Sequence, residues 1–236
     1  MGFVEIIRKN RLRLASPDGQ YPFLSAALLL ERDNLSGLLL RYASGLLLDI
    51  GAGVSPYQES LSSLVDHYFS LDISVRSAHL VCLGHIERLP FKDEIADTVL
   101  CTQVLEHVPH PQLALKELWR VMKKGGRLIL TTPHLSRIHE APHDYFRFTE
   151  YGLRLLCEES GFRILSLNPV GSLLSFLGHT FSTVFLSLFG MIPGIRRMVH
   201  FLNLVMSRGI VILDRRIDKG GIFALNYQLV AEKPKG

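Results

Sequence analysis

The chain has 236 residues, 47% of them hydrophobic and 9% aromatic, which is enough for one sizeable core and short for two full domains. Its 26 Lys and Arg against 22 Asp and Glu leave a formal charge of +4, too small a basic excess to indicate nucleic acid as a partner. Three widely spaced cysteines, Cys82, Cys101 and Cys157, argue for free thiols in a reducing compartment and against a disulfide framework or a cysteine metal knuckle.

In chain order, residues 1–44 read as an N-terminal helical cap. The opening "MGFVEIIRKNRLRL" places charges where a secretory signal needs an unbroken apolar region, so a cytoplasmic location is expected. The basic run "RKNRLR" reads as the solvated face of a short helix. From residue 45 short apolar runs alternate with helical patterns: "GLLLDI", "HYFSLD", "HLVCL", "DTVLCT" and "RLILTT" read as strands. That rhythm predicts an α/β fold, a mostly parallel sheet flanked by helices. The segment "SPYQ" has the form of a capping box, with Ser55 and Gln58 closing on each other's N–H groups and Pro56 at the first helical position. "PQLALKELWRVMKKGG" predicts a helix from Pro111 with Lys123 and Lys124 in its last turn and Gly125 beyond. "TEYGLRLLCEESGF" predicts another, with Thr149 as N-cap and Gly161 as stop.

The run from Val170 to Ile192 contains no Asp, Glu, Lys or Arg. Twenty-three residues are long enough to span a bilayer, but at about 100° per residue Leu173, Leu174, Leu177, Phe181, Val184, Phe185 and Leu188 share one arc. Ser172, Ser175, His179, Ser182, Thr183 and Ser187 fall opposite. So ordered a polar face favours an amphipathic helix that packs on the globule as a cover or lid, or lies in a lipid interface, over one that spans.

The stretch "LLLDIGAGVSPY" sets the ligand question. A buried strand running into a glycine turn is a nucleotide-cofactor signature, but the third glycine of a dinucleotide site is missing, and the capping box engages donors a pyrophosphate needs. Asp72 ends the next strand 21 residues beyond Gly51, where a carboxylate can accept both ribose hydroxyls of an adenosine. An adenosine without a diphosphate suggests S-adenosylmethionine, whose cationic groups suit the acidic surroundings of Asp49, Asp72, Glu87 and Glu106.

Four segments in order, "LLLDIGAGVSPY", "YFSLDIS", "GHIERLPFKDEIADTVLCTQVLEHVPHP" and "ELWRVMKKGGRLILTTP", make residues 45–167 resemble the class I S-adenosylmethionine-dependent methyltransferases, in the small-molecule branch similar to ubiquinone and menaquinone methylases. The resemblance implies a Rossmann-like seven-stranded sheet whose last strand, within "FALNYQLVAEKP", is antiparallel. It implies one domain over residues 1–236: the cap to 44, a cofactor core over 45–167, an apolar helical insertion or lid over 168–222, and the last strand and tail over 223–236. It further implies that Asp49, Gly51, Ala52 and Gly53 approach the methionine part and that Asp72 and Ile73 hold the ribose side. His85, Ile86 and Glu87 then line or orient the adenine loop, with Thr102 and Gln103 near the methionine end. His85 stands where the family usually has an aspartate, so the backbone of Ile86 is expected to carry more of that contact.

Transfer to a hydroxyl is helped by a general base, and histidine suits neutral pH. The histidines after the fourth and fifth strands are His107, His110, His134, His139 and His143; His143, His107 and His134 are taken as the catalytic candidates. "PHDYFRFT" lies where open α/β sheets bind ligands, and Asp144, Tyr145 and Arg147 are the acceptor-side candidates. His139 and His143, four residues apart, would share a helix face, but without a third evident ligand no metal is expected. The expected partner is a small-molecule or lipid-linked acceptor, with peripheral membrane contact through residues 170–216 and no nucleic acid; the oligomeric state stays open. Two other readings also stay open: a methyltransferase-like scaffold without catalysis, and an NAD-dependent oxidoreductase.

Overall fold

The computed structural model describes residues 25–75, 80–217 and 221–235, with the side chains of 215–217 excepted. The expectations for residues 1–24 and for the side chains of Arg215 and Arg216 lie outside the described residues. The chain divides into two compact units. One comprises Asn34–Pro169 with Asn226–Gly236, the other the chain through Asp33 with Val170–Leu225.

The first unit holds a sheet in the order β3-β2-β1-β4-β5-β7-β6. Its strands are β1 (Leu46–Ile50), β2 (His67–Asp72), β3 (Cys82–Leu83), β4 (Ala96–Thr102), β5 (Met122–Pro133), β6 (Arg163–Val170) and β7 (Asn226–Glu232), the last residue of β6 falling in the other unit. β1 to β5 pair in parallel, with Asp49 opposite Ser70 and Leu100, while β7 runs antiparallel to β5 and sets Val230 opposite Ile129. The seven strands and the reversed last one agree with the sequence expectation. Strand β1 is apolar on both faces, and Leu47, Leu48 and Ile50 are fully buried, as helix cover on both sides of a parallel sheet requires. Leu47, Leu100 and Ile129 pack with Leu35 and Leu39 of helix α1 (Ala26–Tyr42) and with Leu61 of the four-residue helix α2 (Gln58–Leu61).

Three local expectations change. The capping box at Ser55 does not form: Ser55 has φ 53°, the helix begins only at Gln58, and its N-cap Tyr57 makes no side-chain cap. Helix α3 (Pro111–Val121) stops before Lys123, because the N–H groups of Glu94 and Ile95 take the carbonyls of Arg120 and Val121. Lys123 instead reaches the Asp97 carboxylate at 2.8 Å from within β5. The "HLVCL" strand shrinks to Cys82–Leu83, and His79 lies outside the described residues. Helix α4 (Glu150–Glu159) matches: the Thr149 hydroxyl accepts from the Gly152 N–H at 3.1 Å, and Gly161 ends it at φ 89°.

The second unit contains helices α5 (Leu173–Phe189) and α6 (Arg196–Ile217). Here the expected burial is inverted. Ser175, Gly178, His179, Ser182, Thr183 and Ser187 are buried, whereas Leu173, Leu177, Phe181 and Phe189 are exposed. The reason is close packing of α5 on α6 through small residues. A Cβ at Gly178 would collide with Ile210, the Ser182 and Ser207 hydroxyls meet at 3.4 Å, and Asp214 accepts from the Ser172 hydroxyl and the Ser175 N–H. Among the described residues no helix is long and apolar enough to cross a membrane.

Candidate active site

Strand β1 delivers the chain into the turn that follows Ile50, at the point where the sheet order reverses between β1 and β4. Crevices at such switch points, beyond the carboxyl ends of the strands, are where open α/β sheets bind ligands. Gly51 has φ 74°, and a Cβ there would collide with Val104, so only glycine fits. Gly53 has φ 57° and open space where its Cβ would stand, leaving its backbone accessible. From Gly51 to Ser55 every N–H except that of Val54 is already engaged. The N–H groups of Gly51 and Ala52 bond to the Leu71 carbonyl at 2.8 and 3.1 Å, that of Ser55 to the Ala52 carbonyl at 2.7 Å, and that of Gly53 to Asp72 Oδ2 at 2.9 Å. Pro56 has no N–H. A pyrophosphate therefore finds no cradle, for a different reason than the capping box expected from sequence.

Asp72 is buried at the end of β2, and its second oxygen accepts from the Ser74 N–H at 3.0 Å. The Ser74 hydroxyl also donates to that oxygen at a long 3.4 Å, so Oδ2 keeps a lone pair for one ligand hydroxyl and a second hydroxyl would displace the Ser74 side chain from Oδ1. Asp49 lies behind the turn, 1% exposed, and its Oδ2 accepts from the Tyr68 hydroxyl at 2.5 Å. Burial, with a smaller contribution from the Asp72 charge, pushes the Asp49 carboxyl up to about 6 against the opposing Tyr68 hydrogen bond. Burial and the Asp49 charge raise the Tyr68 phenol in turn.

A cavity of about 260 Å³ opens here. Of the cofactor residues expected from sequence, Gly51, Gly53, Asp72, Ile73, His85, Ile86 and Gln103 line it. Asp49, Ala52, Glu87 and Thr102 are not on its wall. Glu87 accepts from the His110 N–H at 3.1 Å and fastens the 84–89 loop to the start of α3. His85 Nδ1 accepts from the Glu87 N–H at 3.3 Å, which leaves the ring proton on Nε2. His85 thus offers a donor, suited to a ring nitrogen of adenine and unsuited to its amino group.

The histidine candidates separate. His107 lines the cavity together with His139 and Glu140. Its Nδ1 lies 2.6 Å from the His143 carbonyl and must carry the proton, so Nε2 is its accepting atom. His139 Nε2 stands 3.1 Å from that atom, and Glu106 Oε1 lies 3.7 Å from His107 Nε2 and 3.6 Å from His139 Nε2. His143 is an exposed rim residue 3.2 Å from the Tyr145 hydroxyl, and His134 turns to the Phe148 carbonyl at 2.9 Å and the Tyr227 ring; neither lines the cavity. His139 and His143 share no helix face, because residues 134–148 fold as an irregular loop. Asp144 and Arg147 form an ion pair at 2.6 Å inside that loop. Arg147 also donates to the carbonyls of Ser136, Arg137 and Phe146, and Asp144 accepts from the His139 N–H at 2.6 Å. Despite the cost of burial, these partners hold the Asp144 carboxyl down to about 2. Both side chains are committed to holding the loop's shape, and Tyr145 is exposed beside it.

Sequence reasoning missed Val104, Val108, His139 and Glu140 as wall residues. It had counted His139 among the possible bases and Glu106 among the acidic surroundings, but no local spacing signalled that these two distant residues would meet.

Residues 48–130 match the family model described as "Methyltransferase domain". An uncharacterized protein of Methanocaldococcus jannaschii is 31% identical over 132 residues, covering 53% of this chain and 58% of that protein. A demethylmenaquinone methyltransferase of Streptomyces griseus is 39% identical over 84 residues, covering 35% and 34%. The chain thus spans between a third and three fifths of the length of these two relatives. Among solved structures, the [4+2]-cyclase SpnF aligns over 99% of this chain and 93% of its own at 18% identity and a TM-score of 0.61, a likeness of fold.

Proposed function

We propose that this chain, whose residues 48–130 form a class I methyltransferase domain, transfers a methyl group from S-adenosylmethionine to a small-molecule or lipid-linked acceptor. The observation that carries the reading is the turn after β1, with its N–H groups other than that of Val54 engaged internally beside a buried Asp72 carboxylate whose Oδ2 keeps a lone pair and whose Oδ1 is held only by Ser74. That arrangement fits an adenosine without a diphosphate and disfavours the NAD-dependent oxidoreductase. The cofactor, when bound, supplies a methyl group already activated by a sulfonium. The protein then has to align the acceptor, exclude water and accept a proton where the acceptor is a hydroxyl. His107 is the base candidate on the cavity wall; its Nε2 receives the proton once the His139 N–H that points at it has turned away, and buried Glu106 lies beside the imidazolium. His143 carries His107 through its carbonyl, and Asp144 and Arg147 keep the acceptor loop in place.

The lipid-linked form of the acceptor is favoured by the inverted hairpin. Besides the exposed side chains of α5, helix α6 exposes Met198, Phe201, Leu202, Val205, Ile212 and Leu213 while burying Asn203, Ser207 and Asp214. Small polar residues inside and large apolar ones outside suit a hairpin resting in the apolar margin of a bilayer, with Arg197 and Arg208 exposed toward anionic headgroups. The protein would then be cytoplasmic and peripheral at the membrane. Flotation with anionic vesicles at low salt, lost in Phe181→Asp/Phe201→Asp, supports this; binding unchanged in that variant contradicts it.

The activity itself is tested by incubating the protein with methyl-labelled S-adenosylmethionine and fractionated lipid and small-molecule extracts. Label must pass to an extracted compound with wild-type protein and fail to pass with Asp72→Ala. Cofactor binding with no transfer to any fraction would favour the scaffold reading instead.

A further inference from the structure

Glu106 is fully buried, yet neither carboxylate oxygen has a hydrogen-bond partner. An ionised carboxylate in that condition is costly, and buried charges are ordinarily paired, hydrogen-bonded or bound to metal. Its Oε1 lies within 4 Å of the Nε2 atoms of His107 and His139, and the three atoms form a triangle with edges of 3.1, 3.6 and 3.7 Å. Ligands bound at about 2.05 Å in tetrahedral geometry stand roughly 3.3 Å from one another, so the triangle has the size of one face of such a site. Glu106, His107 and His139 are also the group of described residues whose ligand atoms lie close enough together to hold one ion.

We infer that Glu106, His107 and His139 bind a divalent first-row transition cation, of the class that includes zinc, at the wall of the cavity. Two imidazoles and one carboxylate suit such a cation and not magnesium, which takes oxygen ligands. The surroundings orient the ligands. The His107 Nδ1 proton is held by the His143 carbonyl at 2.6 Å, which turns its Nε2 lone pair inward. His139 now carries its proton on Nε2, pointed at His107, while Arg147 Nη2 lies 3.4 Å from its Nδ1. Ligation moves that proton to Nδ1, where Asp144 Oδ2 stands 3.6 Å away. The ring stays neutral, one tautomer replacing the other, and no proton is released from it.

His107 and His139 both line the cavity, so a three-ligand cation leaves a coordination position open toward it. An acceptor hydroxyl bound there would release its proton to solvent water more readily, because the cation would stabilise the alkoxide left behind. This role rests on the methyl-transfer reading; the site itself does not.

The test uses the full chain without acceptor or cofactor. After stripping with a chelator, the protein is titrated with Zn2+, and with Co2+ as a coloured probe, by calorimetry and visible absorption. One ion per chain is expected, with cobalt bands of low coordination number. His139→Ala, at an irregular loop, should weaken binding at least about a hundred-fold, and Glu106→Gln should do the same. Glu106→Gln gives a second readout. The rise in melting temperature that zinc gives the wild type should be absent in this variant. Absence of stoichiometric binding, or equal binding by His139→Ala, overturns the site. Failure of methyl transfer with binding intact would refute the function and leave the site standing.

Discussion

Asp49→Asn probes the turn without touching the cavity wall. Asp49 is 1% exposed and its carboxyl titrates near 6 instead of 3.8. A folded-state value raised above the unfolded one means that the folded protein holds the proton more tightly. Ionisation therefore works against folding: stability falls as pH climbs from about 4 through 6, and the full penalty is present at neutral pH. Two pKa units at about 1.4 kcal/mol each set that penalty near 3 kcal/mol. Asparagine removes the charge and keeps an oxygen for the Tyr68 hydroxyl, giving up only the stronger bond to a charged acceptor. The ligand-free variant should accordingly be about 1–3 kcal/mol more stable at pH 7.5, a melting temperature higher by roughly 3–9 °C, with the gain gone at pH 4. Thermal unfolding across pH 4–8 measures this. A variant no more stable than wild type at pH 7.5, or a gain that persists undiminished at pH 4, refutes the account of Asp49.

Because Asp49 is anionic only above about pH 6, affinity for cationic S-adenosylmethionine should rise as pH passes from 5 to 7, while affinity for the uncharged-sulfur product rises less; calorimetry on both ligands decides. His107→Ala should lower turnover by about a hundred- to ten-thousand-fold with cofactor affinity retained, whereas His143→Ala, which keeps the carbonyl that orients His107, should cost far less; equal losses would return the base to His143. Asp144→Ala releases Arg147 and the His139 N–H, so the apparent Michaelis constant for the acceptor should rise while cofactor affinity holds; a matching fall in cofactor affinity would show that the loop supports the whole cavity.

The sheet was legible because parallel strands covered on both faces are plain apolar runs, and because Gly51 and Asp72 stand at turn and strand end with a spacing set by one strand-turn-strand unit. What the sequence concealed depends on direction and on distance. Periodicity sorted α5 into an apolar and a polar arc but carried no sign. It could not tell that Ser175, Gly178 and Ser182 face α6 and that Leu177 and Phe181 face outward. Ser55 and Gln58 had capping-box spacing, yet a residue at φ 53° cannot cap, and nothing in four letters specifies that angle. Glu106 and His139 are brought together by a loop whose shape is held by Arg147 on three carbonyls, a long-range consequence that no local pattern encodes.

The account turns on Asp72 and the cofactor it is assigned to hold, so calorimetric binding of S-adenosylmethionine to wild type and Asp72→Ala tests it most directly. One cofactor per chain is expected, with a five- to hundred-fold loss, about 1–3 kcal/mol, in the variant. Unchanged affinity in Asp72→Ala, or binding of NAD in place of S-adenosylmethionine by the wild type, would contradict it.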